Sequence, residues 1–379
     1  MKRLAFILMS LFVLCAILTL SCVPTQRTQI PQQKGDGWQT ASLDEVGLDE
    51  EVIGEAVDLI NDGTYPNVHS ILIVKDGKLV FEEYFSGYTW DYNDPQFRGE
   101  LTDYGIDTIH NLASVTKSVT SVVFGIAIEQ GYIQDVDQKV FSYFPEYASL
   151  SDEGKDEMTL AHLLTMSSGL EWNEMALPYS DSENDLVKLF NVPNPIAYIL
   201  AKPLVHEPGT SWYYNGGNTN LLGEVIRETT GMRMDDFAEK YLFGPLGITD
   251  YAWDFINPDM IHASGNLKLR PRDMAKLGQL FLNKGTWKGQ RIVSEEWIDQ
   301  STTGTLPPTW FDGYGYQWWL MIYRSGSTTI GSYFAAGWGG QRIVVFPRLD
   351  MVVVFTGGNY VEEEPVDVII EGHILPAVR

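Results

Sequence analysis

The spacing of apolar residues changes twice along the chain. Residues 49–62 carry Val52, Ile53, Ala56 and Ile60 at helical spacing, which predicts an amphipathic helix. Two β-rich runs follow, at 70–74 and from 79 onward, separated by a turn that contains Asp76-Gly77. An Asp-Gly pair between two such runs is typical of an antiparallel hairpin. The folded part of the chain is therefore predicted to begin with a helix and a hairpin.

Helical spacing dominates from about residue 114 to residue 285, and 270–283 has a single apolar stripe. Strands are predicted again at 316–323, 341–346 and 351–355, and a last helix at 365–375. Strands at both ends with helices between them predict a discontinuous α/β (α+β) fold. In this fold an antiparallel sheet is flanked by helices, and an all-helical lobe is inserted at about 126–270.

The first 22 residues predict a signal peptide. Lys2 and Arg3 precede an uncharged apolar run from 4 to 20, and Ser21-Cys22 follows. The end of this run resembles a bacterial lipoprotein cleavage site, with Thr19 where leucine is usual, which makes Cys22 the candidate lipid attachment residue. Plain secretion and an uncleaved anchor are the alternatives. Residues 23–37 are polar and predict a linker, so the folded domain is expected over 38–379.

Composition narrows the functional classes. The net charge of −24 over 379 residues disfavours binding to nucleic acid and to anionic membrane surfaces. A membrane association is therefore expected only through the N-terminal anchor, and the location is expected to be periplasmic or at the cell surface. The only cysteines are Cys15 and Cys22, so the domain contains no disulfide bond and no thiol nucleophile.

Candidate chemistry begins with Ser114-Val-Thr-Lys117. Residues three apart share a helix face, so Lys117 would point its amine at the Ser114 hydroxyl. A serine at the first turn of the predicted helix 114–130 would also lie at the positive end of the helix dipole. A surface serine and lysine at this spacing arise by chance in a chain of this length, so the motif needs support from elsewhere in the sequence.

That support comes from two later segments in a fixed order. Glu207-Pro-Gly-Thr210 leads into Tyr213-Tyr214-Asn215 and then Asn220-Leu-Leu-Gly223, and the Gly-rich run 335–340 precedes a predicted strand. With Ser114-x-x-Lys117, this order resembles the serine β-lactamases and penicillin-binding DD-peptidases, most closely the class C β-lactamase-like esterases. The segments 41–48, 158–170 and 272–289 resemble the same family. The resemblance covers residues 38–379 and implies a β-lactamase/transpeptidase-like fold.

The resemblance implies roles for individual residues. Ser114 would form an acyl-enzyme, Lys117 and Tyr213 would move protons, and Asn215 would hold Lys117 or the substrate amide. The backbone N–H groups of Ser114 and Trp338 would form the oxyanion hole, with Gly337 and Gly339 beside them. A register shifted to Tyr214 is the main rival to Tyr213. Other Tyr-x-Asn or Ser-x-Asn matches, which begin at Tyr65, Ser182 and Ser264, lack the order or flanking residues of the family.

The third motif departs from the family, and this departure bears on the substrate. Ala335-Ala-Gly337 stands where β-lactamases and DD-peptidases carry Lys-Thr-Gly, so the cation that grips a substrate carboxylate is missing, unless Arg342 or Arg270 supplies one. A neutral small-molecule ester or amide is therefore favoured over a β-lactam or a peptidoglycan peptide. A non-catalytic binding protein on the same fold is a third possibility.

No metal or organic cofactor is expected. The histidines show no metal-binding spacing, and the chain lacks Gly-x-Ser-x-Gly, the nucleophile motif of the α/β-hydrolase fold. Most histidines are expected to pack in the core, with His262 a minor candidate for the site. Aromatic residues near 310–319 are candidates to line an apolar substrate cleft.

Overall fold

A computed structural model describes residues 28–152, 154–306 and 311–379. The predicted signal peptide, Cys22 and the first part of the predicted linker lie outside these ranges. In the part of the chain that is described, no helix is both long enough and apolar enough to cross a membrane.

The helices agree with the predicted positions of the longer amphipathic segments. They are α1 (Glu50–Asn61), α2 (Val115–Glu129), α3 (Leu160–Leu164), α4 (Asp185–Leu189), α5 (Pro195–Leu200), α6 (Gly216–Thr230), α7 (Met234–Ala238), α8 (Gly244–Leu246), α9 (Pro271–Leu282), α10 (Glu295–Ser301) and α11 (Val366–Ile369). The last predicted helix, 365–375, begins as α11 and continues as a π-helical turn over Ile370–Ile374.

The strands lie mainly at the two ends of the chain. They are β1 (Val68–Lys75), β2 (Lys78–Tyr84), β3 (Ser86–Trp90), β4 (Arg98–Asp103), β5 (His110–Asn111), β6 (Tyr251–Trp253), β7 (Phe255–Asn257), β8 (Met260–Ile261), β9 (Leu267–Leu269), β10 (Thr286–Trp287), β11 (Gln290–Arg291), β12 (Gly313–Tyr314), β13 (Trp319–Ser325), β14 (Thr328–Gly337), β15 (Gln341–Phe346) and β16 (Met351–Gly357).

Seven of these strands form one antiparallel sheet in the order β12-β13-β14-β15-β16-β1-β2. The β1–β2 hairpin turns at Asp76-Gly77, where both residues have positive φ (52° and 73°), as the Asp-Gly signal predicts. The longest strand, β14, was not predicted as a strand. Its sequence, TTIGSYFAAG, mixes two glycines with polar residues and therefore lacks the alternation of a half-buried strand.

Alternating side chains of the sheet build two cores. In β1, Leu72 and Val74 join the cluster that contains α2, α6 and α9, while Ile71 and Ile73 join the cluster under α1 and α11. Successive strand residues point to opposite faces, so a strand covered on both sides reads as one continuous apolar run. This is why residues 71–74 are apolar without interruption.

The segment predicted as the helical lobe contains α3 to α8, but it also contains strands. β6 and β9 pair with each other, and β9 also pairs with β5, which immediately precedes α2. These strands are two or three residues long, which is too short to produce a periodic signal. The β5–β9 pair brings the segment that follows residue 261 against the beginning of α2.

Residues 28–37 form neither helix nor strand, yet they are bound to the domain. The buried Arg272 guanidinium forms ion pairs with Asp36 at 2.7 Å and with Glu82 at 2.5 Å. The Trp38 indole N–H donates to the Arg272 carbonyl at 3.1 Å. The part of the predicted linker next to Trp38 therefore contributes contacts to the fold.

Candidate active site

Ser114 lies at the N-terminal end of α2, at the end of a tight turn. Ala113, the residue before it, has φ of 45°, and its N–H donates to the Asn111 side-chain oxygen at 2.9 Å. This hydrogen bond stabilises a left-handed conformation that is uncommon for a residue with a side chain. The 15-residue helix that follows has a partial positive charge at this end. That charge favours negative charge developing at or near the Ser114 Oγ.

Lys117 lies one turn later and is buried, with 2% of its surface exposed. Its Nζ donates to the Ser114 Oγ at 3.1 Å and to the Ser264 carbonyl oxygen at 2.8 Å. The structure thus brings Ser114 and Lys117 together as their spacing predicts. The second hydrogen bond fixes the amine, because Ser264 belongs to the segment that β9 holds against α2.

The tyrosine beside this pair is Tyr214, the position of the rival register, and not Tyr213. The Tyr213 side chain is 43% exposed and lines neither cavity at Ser114, whereas Tyr214 is 6% exposed and lines the wider one. The Lys117 Nζ lies 4.7 Å from the centre of the Tyr214 ring. Of the two adjacent tyrosines, only Tyr214 lines a cavity at Ser114.

Asn215 does not hold Lys117. Its side-chain oxygen caps α6 by accepting from the Asn218 N–H at 3.1 Å, and it makes no hydrogen bond to Lys117 among the described residues. With Tyr214 as the first position of the motif, the third position is Gly216, which has no side chain. A Cβ at Gly216 would lie 2.7 Å from the Glu174 Oε2, so Glu174 occupies the space that a side chain would need.

Glu174 is a functional candidate that the sequence did not reveal. One of its oxygens accepts from the Gly216 N–H at 2.7 Å and from the Trp172 indole N–H at 2.8 Å. The other accepts from the Tyr179 hydroxyl at 3.1 Å and lies 3.9 Å from the Lys117 Nζ. Burial, followed by the Glu174 charge, raises the pKa of Tyr179 well above its usual value, so Tyr179 remains a donor. The fully buried carboxylate therefore has three hydrogen-bond donors and the Lys117 amine around it.

Two cavities meet at Ser114. The narrow one, of about 60 Å³, has aromatic and uncharged polar walls, among them Trp90, Phe190 and His262. The wide one, of about 560 Å³, includes Glu174 and Tyr214. Ser114, Tyr179, Trp338 and Tyr360 line both cavities. A nucleophile at the junction of two cavities can attack a bond whose two sides occupy different spaces.

The third motif reaches the site at the end of β14. A Cβ at Gly337 would lie 2.2 Å from the Leu112 carbonyl oxygen, so only glycine allows this strand to approach the beginning of α2 so closely. Trp338, the next residue, lines both cavities, as Ser114 does. Gly339 lines neither cavity; its carbonyl accepts from the Asn359 N–H at 3.1 Å.

The cavity walls agree with the expectation of an aromatic cleft. Phe311 and Trp319 line the wide cavity, while Trp310 lies outside the described residues. The two arginines considered as substitutes for the missing cation are both paired. Arg342 lines the wide cavity but forms an ion pair with Glu364 at 2.8 Å, and Arg270 is bound to Asp273 at 2.7 Å.

The chain matches known hydrolases in sequence. The family model described as Beta-lactamase matches residues 67–366. The 6-aminohexanoate-dimer hydrolase of Paenarthrobacter ureafaciens is 26% identical over 269 residues, which span 65% of this chain and 66% of that protein. The chain thus spans slightly less than two thirds of this relative.

Solved structures show the same fold. A class C beta-lactamase from Rhodobacter sphaeroides has a TM-score of 0.62 and 19% identity, covering 86% of this chain and 99% of that one. A family VIII carboxylesterase has a TM-score of 0.63 and 20% identity, covering 86% and 97%. The family model spans most of the chain, so the protein belongs to the beta-lactamase family of serine hydrolases.

Proposed function

We propose that this protein hydrolyses an uncharged carboxylic ester or amide through an acyl-Ser114 intermediate. The observation that carries the proposal is the 3.1 Å hydrogen bond between Lys117 and Ser114 at the junction of two cavities. A buried amine fixed on a serine hydroxyl is a means of activating that hydroxyl as a nucleophile. Turnover of p-nitrophenyl butyrate by the full chain, and its loss in Ser114→Ala, is the experiment that tests the proposal.

The reaction proceeds in two transfers. The Ser114 Oγ attacks the carbonyl carbon and gives its proton to Lys117, while the N–H groups of Ser114 and Trp338 donate to the oxyanion. Tyr214 protonates the leaving group as the bond to the carbonyl carbon breaks. Water then attacks the acyl-enzyme and transfers a proton to the same tyrosine, while Lys117 returns its proton to the Ser114 Oγ as the bond between that oxygen and the acyl carbon breaks.

The choice of an uncharged substrate rests on the cavity walls. Of the described residues that line the two cavities, Arg342 is the only cation, and Glu364 neutralises it.

Curated relatives of this chain include a D-alanyl-D-alanine carboxypeptidase assignment in Salmonella paratyphi B, 24% identical. A β-lactamase or DD-peptidase activity is therefore the second candidate. If a cephalosporin or a D-Ala-D-Ala peptide were turned over faster than the neutral ester, this second activity would become the first candidate.

We further propose that Glu174 stabilises the charge that Lys117 acquires during acylation. The carboxylate lies 3.9 Å from the Lys117 Nζ and both side chains are buried, which makes an ion pair between them stronger than it would be in water. Its three hydrogen-bond donors keep it in place. It is a positioning residue, because no reacting atom needs to touch it.

Glu174→Gln is expected to lower kcat/KM for p-nitrophenyl butyrate by about 10- to 100-fold. The amide keeps the shape of the carboxylate but removes its charge, so the pH at which the rate is highest should also move. Glu171→Gln, the same change at an exposed position three residues earlier, is the matched control. It should leave kcat/KM and the pH of the highest rate as in the wild type. An unaltered pH profile in Glu174→Gln would assign Glu174 a purely structural role.

We also propose that the chain is exported and anchored through a lipid on Cys22. The proposal is supported by the basic residues at 2–3, the apolar run 4–20 and the cysteine that follows. The mass of protein extracted from membranes should then correspond to a chain that begins at a lipidated Cys22. Cys22→Ser should release the protein from the membrane fraction, and an unmodified cysteine in the wild type would exclude the anchor.

A further inference from the structure

The narrow cavity has several polar lining residues but none with a formal charge. None of the described residues that line it is Asp, Glu, Lys or Arg. Three of its polar residues already have protein partners. Asn111 is bonded to Ala113 and Asn266, and Ser264 accepts from the Asn220 amide at 3.0 Å. His262 differs from them, because neither of its ring nitrogens has a hydrogen-bond partner in the described part of the chain.

His262 is held firmly although its ring nitrogens are unpaired. The backbone N–H of His262 donates to the Asp254 carbonyl at 2.9 Å, and the backbone carbonyl of His262 accepts from the Trp253 indole N–H at 3.0 Å. The ring packs edge-on against Phe190 at 5.1 Å between centroids. A Cβ at Gly265 would lie 2.6 Å from the ring, so the turn at Gly265 leaves space for it.

The segment that carries His262 is also bound to the nucleophile helix. The Thr120 hydroxyl donates to the Ala263 carbonyl at 2.6 Å, and the Lys117 Nζ donates to the Ser264 carbonyl at 2.8 Å. The imidazole therefore keeps a fixed position relative to Ser114. Burial lowers the pKa of His262 to about 3, so the ring is neutral at physiological pH.

We propose that His262 determines acyl-group specificity by hydrogen-bonding an uncharged polar group, such as an amide, on the acyl part of the substrate. A neutral imidazole offers one donor and one acceptor, which matches the N–H and C=O of an amide. Buried polar groups are nearly always satisfied in native proteins, so a fixed, unpaired ring that lines a substrate cavity indicates a ligand. The inference rests on the proposed function, because it requires that an acyl group occupies this cavity.

Two p-nitrophenyl esters of nearly the same shape test the inference on the full chain. The 3-acetamidopropanoate carries an amide where the 5-methylhexanoate carries only hydrocarbon. Each kcat/KM is divided by the hydroxide-catalysed rate of the same ester to remove intrinsic reactivity. The wild type is expected to prefer the acetamido ester by roughly tenfold, since a site built for a hydrogen bond discriminates against an analogue that lacks it.

His262→Phe should reduce this preference to near unity, and His262→Gln should retain part of it, because a carboxamide also donates and accepts. Each ratio compares two esters on one preparation, so a loss of folded protein cancels. His206→Phe, at an exposed histidine outside both cavities, should keep the wild-type ratio.

The possible failures are distinguishable. Hydrolysis of both esters without a preference in the wild type would overturn the inference while leaving the proposed function intact. The same preference in the wild type and in His262→Phe would also overturn it, because the discrimination would then arise elsewhere. Absence of hydrolysis of either ester by the wild type would count against the proposed function itself.

Discussion

Ser114→Ala is expected to lower kcat for p-nitrophenyl butyrate by about 10⁴-fold or more, because the acyl-enzyme cannot form without the Oγ. The helix dipole and the N–H groups of residues 114 and 338 remain in the variant, so any residual rate reports their contribution alone. Release of p-nitrophenol measures turnover, and the mass of quenched enzyme shows whether an acyl group is attached to the wild type.

The same helix offers a matched control. Ser121 is buried in α2, two turns beyond Ser114, and its hydroxyl has no partner among the described residues. Ser121→Ala should therefore retain wild-type turnover. Equal rates in Ser114→Ala and in the wild type would remove Ser114 as nucleophile and favour a non-catalytic binding protein on this fold.

Tyr214→Phe is expected to lower kcat/KM by about 10²- to 10⁴-fold, the usual contribution of a general acid or base. The substitution removes only the hydroxyl, and the ring can still stack on Trp319, from which it is separated by 5.9 Å between centroids. Loss of rate with little loss of stability would therefore identify the proton-transfer role. Turnover of the same ester and thermal unfolding of the variant are the two measurements.

Tyr213→Phe is the matched control for Tyr214→Phe. The Tyr213 side chain is 43% exposed and lies outside both cavities, so the variant should remain close to the wild type. A large loss in Tyr213→Phe with full activity in Tyr214→Phe would restore the original register. It would also require the loop around residue 213 to rearrange before catalysis.

The sequence predicted the elements whose signals are local. The hairpin at Asp76-Gly77, α1, α9 and the contact between Ser114 and Lys117 all follow from spacing along a single element. The register of the tyrosine motif, by contrast, could not be predicted from spacing along a single element. Two adjacent tyrosines satisfy the same chain order, and only their exposure in the fold separates them.

Glu174 could not be predicted for a similar reason. It lies in an irregular segment between α3 and α4, and its partners Lys117 and Gly216 come from two different helices. The one available signal was a glycine at the third position of a motif that begins at Tyr214, which leaves space for another side chain. That signal has meaning only when the motif is taken to begin at Tyr214.

The sheet joins the two ends of the chain, and this has a consequence for the order of folding. β1 lies between β2 and β16, and the Arg379 N–H donates to the Gly47 carbonyl at 3.0 Å. The N-terminal hairpin therefore gains its neighbouring strand β16 only when almost the entire chain is available to fold. Contacts so distant in sequence slow folding and leave strand edges exposed in the meantime. Removal of β16 alone would separate the N-terminal hairpin from the other strands of the sheet.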